Sequence, residues 1–373
     1  QSQLDDTKTC ASKLVGTGPW KFTSWDTNTS IKGTRNKDYW QTAPDGKPYP
    51  YADNIDIEFK PDGQVRANAL RSGGINVEHT SDSELIGNTF RPLRDQGKVN
   101  MYVSEDFSEP AFLQLNSTKA PFDDIRMRKA LALGTDRTDL NKVQNNGLPT
   151  VANGPFAPDS IGYVADPGFP DFDIEEAKKL VKEYVAEGKG HKAEFTLTLT
   201  QDPSTLRLAQ EIQQRAAKAG VKVKLQQMDQ AKLIDAAIGK KYEAMTFRNY
   251  PGGDPDINTV WWYGEGNPVN FGGYNDPVIN KLLDEGRGED DPAKRKQIYQ
   301  DINREFAKQV WSVWSWYTPW AIVMDKSVHN VLGPPLPGDD TTKAGDATTD
   351  DPARQPNPGL ATGHSLIGMW VAK

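Results

Sequence analysis

The most regular alternation of apolar and polar positions runs from residue 193 to residue 247. In 193–200, Phe195, Leu197 and Leu199 recur at every second place, the period of a strand with one buried face. Ser204 then stands as N-cap to a helix whose Leu208, Ala209, Ile212, Ala216 and Ala219 share one side, and Gly220 stops it. Residues 221–228 alternate again through Val221, Val223 and Leu225, Asp229 caps a helix reaching Ile238, and 242–247 reads as a third strand. The unit is βαβαβ. Right-handed crossovers make such strands parallel, and open α/β sheets bind ligands beyond the carboxyl ends of their strands. At such an end stands Arg248-Asn249-Tyr250-Pro251-Gly252-Gly253-Asp254-Pro255-Asp256, ahead of the aromatic run Trp261-Trp262-Tyr263. The segment is either a docking turn for a ligand or a Gly/Pro surface turn that holds none.

Elsewhere the pattern predicts further elements. Residues 16–59 are strand-like, with Trp20, Phe22, Trp25 and Ile31 in short runs, a turn-rich insert at 44–50 and clean alternation over 53–59. Residues 64–71 read as a short helix stopped by Gly73-Gly74, and 112–115 as a strand leading into Asn116 and the Lys119-Ala120-Pro121-Phe122 loop. A helix follows Asp124, with Ile125, Arg128, Leu131 and Ala132 at helical spacing and Gly134 as its stop. Pro155, Pro158, Pro167 and Pro170 make 153–170 an extended, packed crossing segment. Asp173 with Glu176 forms an acidic capping box before a helix that turns Ala177, Leu180, Val181 and Tyr184 inward. Residues 275–286 and 292–308 form a helical pair, the second capped by Asp291 with Pro292 at its first position. Residues 333–359, rich in Pro, Gly, Asp and Thr, read as a long exposed loop before a short terminal strand at 365–371.

Length and composition narrow the class. A chain of 373 residues exceeds one typical core, so two structural units are expected. No run of 18 apolar residues exists, which excludes a membrane-spanning helix. The net charge of −7 offers no basic face and argues against a nucleic-acid partner. Ten Trp, twelve Tyr and thirteen Phe are enough to line a cleft as well as a core. The single Cys10 fits either a reduced chain or a cysteine whose partner lies outside this sequence. A secretory leader is either absent from the gene or already removed.

Catalytic and metal chemistry find little support. His79, His191, His329 and His364 are far apart and have no metal-ligand spacing, so neither a metal nor a cofactor is expected. Gly363-His364-Ser365-Leu366-Ile367 fails as a nucleophile elbow because Ile367 replaces the second glycine. Gly16-Thr17-Gly18-Pro19-Trp20-Lys21 lacks the third glycine of a dinucleotide loop and the Lys-Ser/Thr ending of a phosphate loop, and reads as a tight turn between strands. Asp254, Asp256, Asn258 and Glu265 match positions 1, 3, 5 and 12 of a calcium loop, but Thr259 stands where a glycine turn is required. Asp123-Asp124 and Asp290-Asp291 sit at helix starts, where capping accounts for them.

The order of these elements, with certain local motifs, resembles the family 5 extracellular solute-binding proteins, the receptors of peptide, nickel and related ABC importers. The motifs are Gly16-Thr17-Gly18-Pro19-Trp20-Lys21-Phe22, Asn36-Lys37-Asp38-Tyr39-Trp40, Leu115-Asn116 with Pro121-Phe122-Asp123-Asp124-Ile125-Arg126, Asp254-Pro255-Asp256 and Tyr274-Asn275-Asp276-Pro277. The resemblance covers nearly the whole chain. It implies an α/β, two-lobed periplasmic-binding-protein-like fold of the type II flytrap kind with a discontinuous first lobe: residues 1–114, then a second lobe at 115–330, then a return at 331–373, with hinges near Asn116 and Val331. It also implies a monomer outside the cytoplasm, lipid-anchored in its full-length form, that delivers a peptide or other small solute to a membrane permease and breaks no bond. The chain then corresponds to the carboxyl-terminal portion of a longer receptor. Without the rest, it is expected to bind solute at least about tenfold more weakly, and Cys10 to have lost a disulfide partner.

On this resemblance the expected ligand contacts are Asn116, Arg248, Asn249, Tyr250, Asp254, Trp261, Trp262 and Trp316, in a cleft between the lobes. Peptide-binding relatives anchor the peptide amine with an aspartate shortly before the Asp/Glu-Pro step, and here that place falls on Pro251. Amine anchoring would therefore need Asp254 or Asp256 as a substitute; a sugar, a siderophore-like molecule or a modified peptide stays open. The competing readings are a non-transport sensor with the same fold and an enzyme with an acid, base or nucleophile that these residues do not supply.

Overall fold

A computed structural model describes residues 14–27, 29–43, 46–188, 190–249, 253–331, 360 and 366–372. Cys10, Tyr250, His364 and the loop expected at 333–359 lie outside the described residues. The strands are β1 (Trp20–Asp26), β2 (Ser30–Arg35), β3 (Asn54–Glu58), β4 (Val77–Thr80), β5 (Val99–Ser104), β6 (Pro110–Leu115), β7 (Glu194–Thr200), β8 (Lys222–Met228), β9 (Ala244–Arg248), β10 (Ser312–Tyr317), β11 (Trp320–Asp325), β12 (Val328–His329) and β13 (Trp370–Val371). The longer helices are α1 (Gly63–Arg71), α2 (Ile125–Leu133), α3 (Arg137–Asn145), α4 (Ile174–Ala186), α5 (Pro203–Lys218), α6 (Gln230–Ile238), α7 (Pro277–Gly288) and α8 (Pro292–Gln309).

All eight of these helices start from an aspartate N-cap: Asp62, Asp124, Asp136, Asp173, Asp202, Asp229, Asp276 and Asp291 each accept a backbone N–H of the first turn. Each such cap is worth about 0.5–2 kcal/mol, and the negative charge lies at the positive end of the helix dipole. Part of the acidic excess is thus structural. The cap of α5 is Asp202 with Pro203 at the first position, two residues earlier than the expected Ser204, whose hydroxyl instead donates to Asp202 at 2.7 Å. Asp173 makes half of the expected box: it accepts from Glu175 and Glu176, while its own N–H goes to the Leu133 carbonyl.

The chain divides into two compact units, one taking residues up to Ser104 and from Trp320 onward, the other Glu105–Pro319. The first unit contains the antiparallel sheet β1-β2-β3, the sheet β4-β11-β5 and the pair β12-β13. In the second of these sheets β11 lies in the middle, antiparallel to both neighbours, so a strand from the end of the chain completes a sheet begun near residue 77. The expected boundaries at 114/115 and 330/331 are therefore corrected. β6 belongs to the sheet of the second unit and β11 to that of the first, and the chain passes between units at 104–105 and 319–320 rather than near Asn116 and Val331. The terminal strand is limited to β13, after a 3₁₀ turn at Leu366–Gly368.

The second unit is built on the five-stranded sheet β10-β6-β9-β7-β8. The expected βαβαβ unit is present as β7-α5-β8-α6-β9, with β7 parallel to both β8 and β9. β6 runs antiparallel to β9 and β10, which makes the sheet mixed. Phe195, Leu197 and Leu199 are buried, as alternation required, against Ala209, Ile212 and Ala216 of α5. Full burial of each large apolar side chain is worth about 1.5–3 kcal/mol. Residues 153–170 form no strand or helix, yet Phe156, Ala157 and Phe169 are buried, so the proline-rich crossing is packed as expected. The Gly16–Pro19 stretch is a bend entering β1, and residues 1–13 lie outside the described residues.

Candidate functional site

β9 ends at Arg248, and the chain resumes after the undescribed 250–252 in a tightly fastened segment. Asp254 caps the 3₁₀ turn Pro255–Asn258, its Oδ1 accepting the Asp256 N–H at 2.8 Å. The same carboxylate takes a two-pronged bond from Arg295 of α8, at 2.7 and 2.9 Å, which holds its pKa below the usual carboxylate range. Asp256 accepts from Arg287 of α7 at 3.1 Å and from the Thr259 hydroxyl at 3.0 Å. Two helices thus staple the turn through two arginines. Thr259–Trp262 then forms a single helical turn, and Asn270 secures it by donating to the carbonyls of Trp262 and Tyr274 while accepting from Gly273. Gly273 has φ +70°, and a Cβ there would meet Thr118 Cγ2 at 2.6 Å, so both its conformation and its close approach need glycine.

Beside this segment lies a depression wholly within the second unit. Asn249, Pro255, Asn258 and Trp262 line it from the expected ligand-docking stretch. Phe107, Ser108, Glu109 and Pro110 line it from the chain entering β6, Trp314 from β10, and Phe156 from the proline-rich crossing. Its room is about 30 Å³, enough for one or two waters and far below the several hundred Å³ of a site enclosing a whole small molecule. Glu109 is 4% exposed on its side chain, and its carboxylate lies 3.5 Å from Arg248. Trp262 packs edge-on against Phe156 and Phe306, at 5.4 and 4.9 Å between ring centres.

The expected contacts therefore separate. Asn249 and Trp262 border the depression, Arg248 reaches it through its pairing with Glu109, and Asp254 stands next to the lining Pro255 with its carboxylate bound by Arg295. Trp261 is half-buried, packed at 5.7 Å on Phe271. Trp316 is a core residue of β10. Asn116 is a correction: it is fully buried, its amide donates to the carbonyls of Lys240 and Tyr242, and its oxygen accepts from the amide and hydroxyl of Thr118. That uses both donors and both lone pairs, leaving nothing for a ligand. Asp254 and Asp256, the substitutes needed for amine anchoring, are both occupied by arginines. Ser108, Glu109 and Trp314 are lining residues that sequence reasoning misses. Their one sequence signal is the position of 107–110 just ahead of a strand that runs antiparallel to β9, a neighbour that only the sheet order reveals. The described residues contain no group of three or more His, Cys, Asp or Glu able to hold a metal, and Asp254 and Asp256 make a turn rather than a calcium loop.

The family model for bacterial extracellular solute-binding proteins, family 5 middle, matches residues 1–271, and the chain belongs to that family. The α/β, two-lobed fold of periplasmic binding proteins is accordingly its fold. It is similar to di/tripeptide-binding protein 2 of Pseudomonas aeruginosa strain UCBPP-PA14, 25% identical over 357 residues, covering 86% of this chain and 59% of that one. Among solved structures it resembles the oligopeptide-binding protein AppA from Bacillus subtilis in complex with a nonapeptide, with TM-score 0.78, 20% identity, and coverage of 100% of this chain and 70% of that one. It also resembles AgaA of A. tumefaciens R10 in complex with agropinic acid, with TM-score 0.80, 22% identity, and the same coverage of 100% and 70%. The chain spans less than two thirds of the length of the curated relatives it matches.

Proposed function

We propose that this chain is the solute-capturing part of an ABC-importer receptor, which acts as a monomer outside the cytoplasm and passes its cargo to a membrane permease without breaking a bond. The observation that carries this reading is the family match over residues 1–271, which includes the whole βαβαβ unit and the ligand-docking segment at its carboxyl edge. A lipid tether on the full-length protein belongs to the same proposal. The cargo is a small polar solute held through oxygens and flat surfaces rather than through an amine. The amine-anchoring place is Pro251, and the neighbouring carboxylates are tied to Arg287 and Arg295. Blocked peptides and peptide-like or opine-like amides fit this pattern, in keeping with the range of ligands in the names of its relatives. In this reading Asn249, Tyr250 and Trp261 supply contacts, Trp261 by stacking.

Unbiased mass spectrometry of solute carried through purification, followed by calorimetry with the identified compound, tests the proposal. A stoichiometric small molecule whose affinity falls at least about fivefold in Trp261→Ala supports it. A chain that carries nothing and binds nothing from a panel of peptides, sugars and opines overturns it.

A further inference from the structure

We propose that the depression at the carboxyl end of β9 is a seat for a neutral amide carbonyl of the solute, with the indole N–H of Trp314 and the hydroxyl of Ser108 as its donors. This rests on the reading of the chain as a solute receptor. Trp314 is 1% exposed and Ser108 6%, and both line the depression. The Nε1 of Trp314 and the Oγ of Ser108 are also both enclosed polar atoms without a hydrogen-bond partner within the protein. Nearly all buried polar atoms in folded proteins are paired, so two unpaired ones on residues that line the same depression call for a third party. An indole N–H can only donate, which means that the missing group must bring an acceptor. The room in the depression fits one or two oxygen-sized bodies, which is space for a carbonyl tip and too little for a ring.

Charge decides between a carbonyl and a carboxylate. Glu109 lines the same depression, with its side chain 4% exposed and one arginine beside it. Arg248 is already paired with Glu109 and no lysine or arginine among the described residues lines the depression, so a solute carboxylate would bring a charge with no cation to meet it, whereas an amide oxygen offers the same lone pairs without a net charge. Pro110, Phe156 and Trp262 complete the wall with apolar surface that suits a flat amide.

The backbone that presents Ser108 is held in place. Phe107 has φ +51°, a conformation that residues other than glycine rarely adopt, and its N–H donates to Asp159 at 2.7 Å. The Ser108 N–H donates to the Glu105 carbonyl at 3.1 Å, and the Glu105 carboxylate accepts from the Thr150 N–H at 3.0 Å. An unfavourable conformation held by a hydrogen bond to the Asp159 carboxylate, immediately before a serine with an unpaired hydroxyl, is the arrangement expected of a pre-positioned donor.

The test uses the whole chain labelled with ¹⁵N at its tryptophan indoles, with the Trp314 signal assigned through its backbone resonances. N-methylacetamide, sodium acetate and methylammonium chloride are titrated separately at matched ionic strength. The amide should move the Trp314 indole signal downfield, and further than those of Trp261 and Trp262, while acetate and methylammonium leave it in place. Ser108→Ala should weaken the amide response about fivefold. An unmoved Trp314 signal, an equal response to acetate, or an unchanged midpoint in Ser108→Ala overturns the inference. Mass spectrometry of carried solute reports on the receptor reading separately. If a solute is carried while the indole is silent, the carbonyl seat alone fails; if the indole responds while no solute is carried or bound, the receptor reading alone fails.

Discussion

At the scale of single residues, the polar side chains around the site divide by whether the protein itself has already engaged them. Asn116 has all of its hydrogen-bonding capacity engaged by Lys240, Tyr242 and Thr118. Asn116→Ala should therefore lower stability by about 2–4 kcal/mol in urea unfolding while leaving solute affinity unchanged; an affinity loss without a stability loss would restore it as a contact. Asp254 is paired with Arg295, but its side chain is 59% exposed, so Asp254→Asn should cost only about 1 kcal/mol at neutral pH. Because its folded pKa is depressed, that contribution is present above the ordinary carboxylate range and is lost as pH falls through the depressed value. The gap between Asp254→Asn and wild type should close in acid. Lys240 gives the same sign at higher pH for a different reason: burial pushes its ammonium down to about 8 from 10.5, so between these values the native chain binds fewer protons than the unfolded one. Compared with Lys240→Gln, wild type should gain stability from about pH 8 to about pH 10, as thermal unfolding in matched buffers would register.

At the scale of elements, β7 is the strand on which the parallel half of the second unit depends, since β8 and β9 both pair with it. Leu197 at its centre is fully buried, and Leu197→Ala should cost about 2–5 kcal/mol in equilibrium unfolding. A loss under about 1 kcal/mol would mean that the strand is not the centre of the core. This element was legible in the sequence because period-two alternation survives where one face is packed by helices and the other is less buried. β10 was not. Its Ser-Val-Trp-Ser-Trp-Tyr is buried at every position, and a strand covered on both faces shows no alternation to read. The α5 start was misplaced by two residues because Ser204 and Asp202 are both good caps, and Pro203 at the first position favours the earlier one.

At the scale of the whole molecule, the two units differ in how the chain builds them. Residues 105–319 are continuous, and the core cluster that runs from Ala111 to Tyr317 lies wholly inside them. Expressed alone, 105–319 should unfold cooperatively in urea with a native-like near-ultraviolet circular dichroism from its buried tryptophans. A broad transition with no aromatic signal would refute its independence. A chain ending at residue 319 should in contrast leave its amino-terminal unit unfolded, since β11 is the middle strand between β4 and β5.

The sequence by itself determined the βαβαβ unit, its caps and stops, the family, and where β9 ends, because each depends on neighbours within about thirty residues of chain. Only the tertiary structure decided that β6 and β11 change places between the expected lobes, that arginines from α7 and α8 occupy Asp254 and Asp256, and that Ser108 and Trp314 line the same depression as Asn249. Those outcomes depend on strand order and on charges brought together across 31 and 41 residues of sequence, and no local period or motif carries that information.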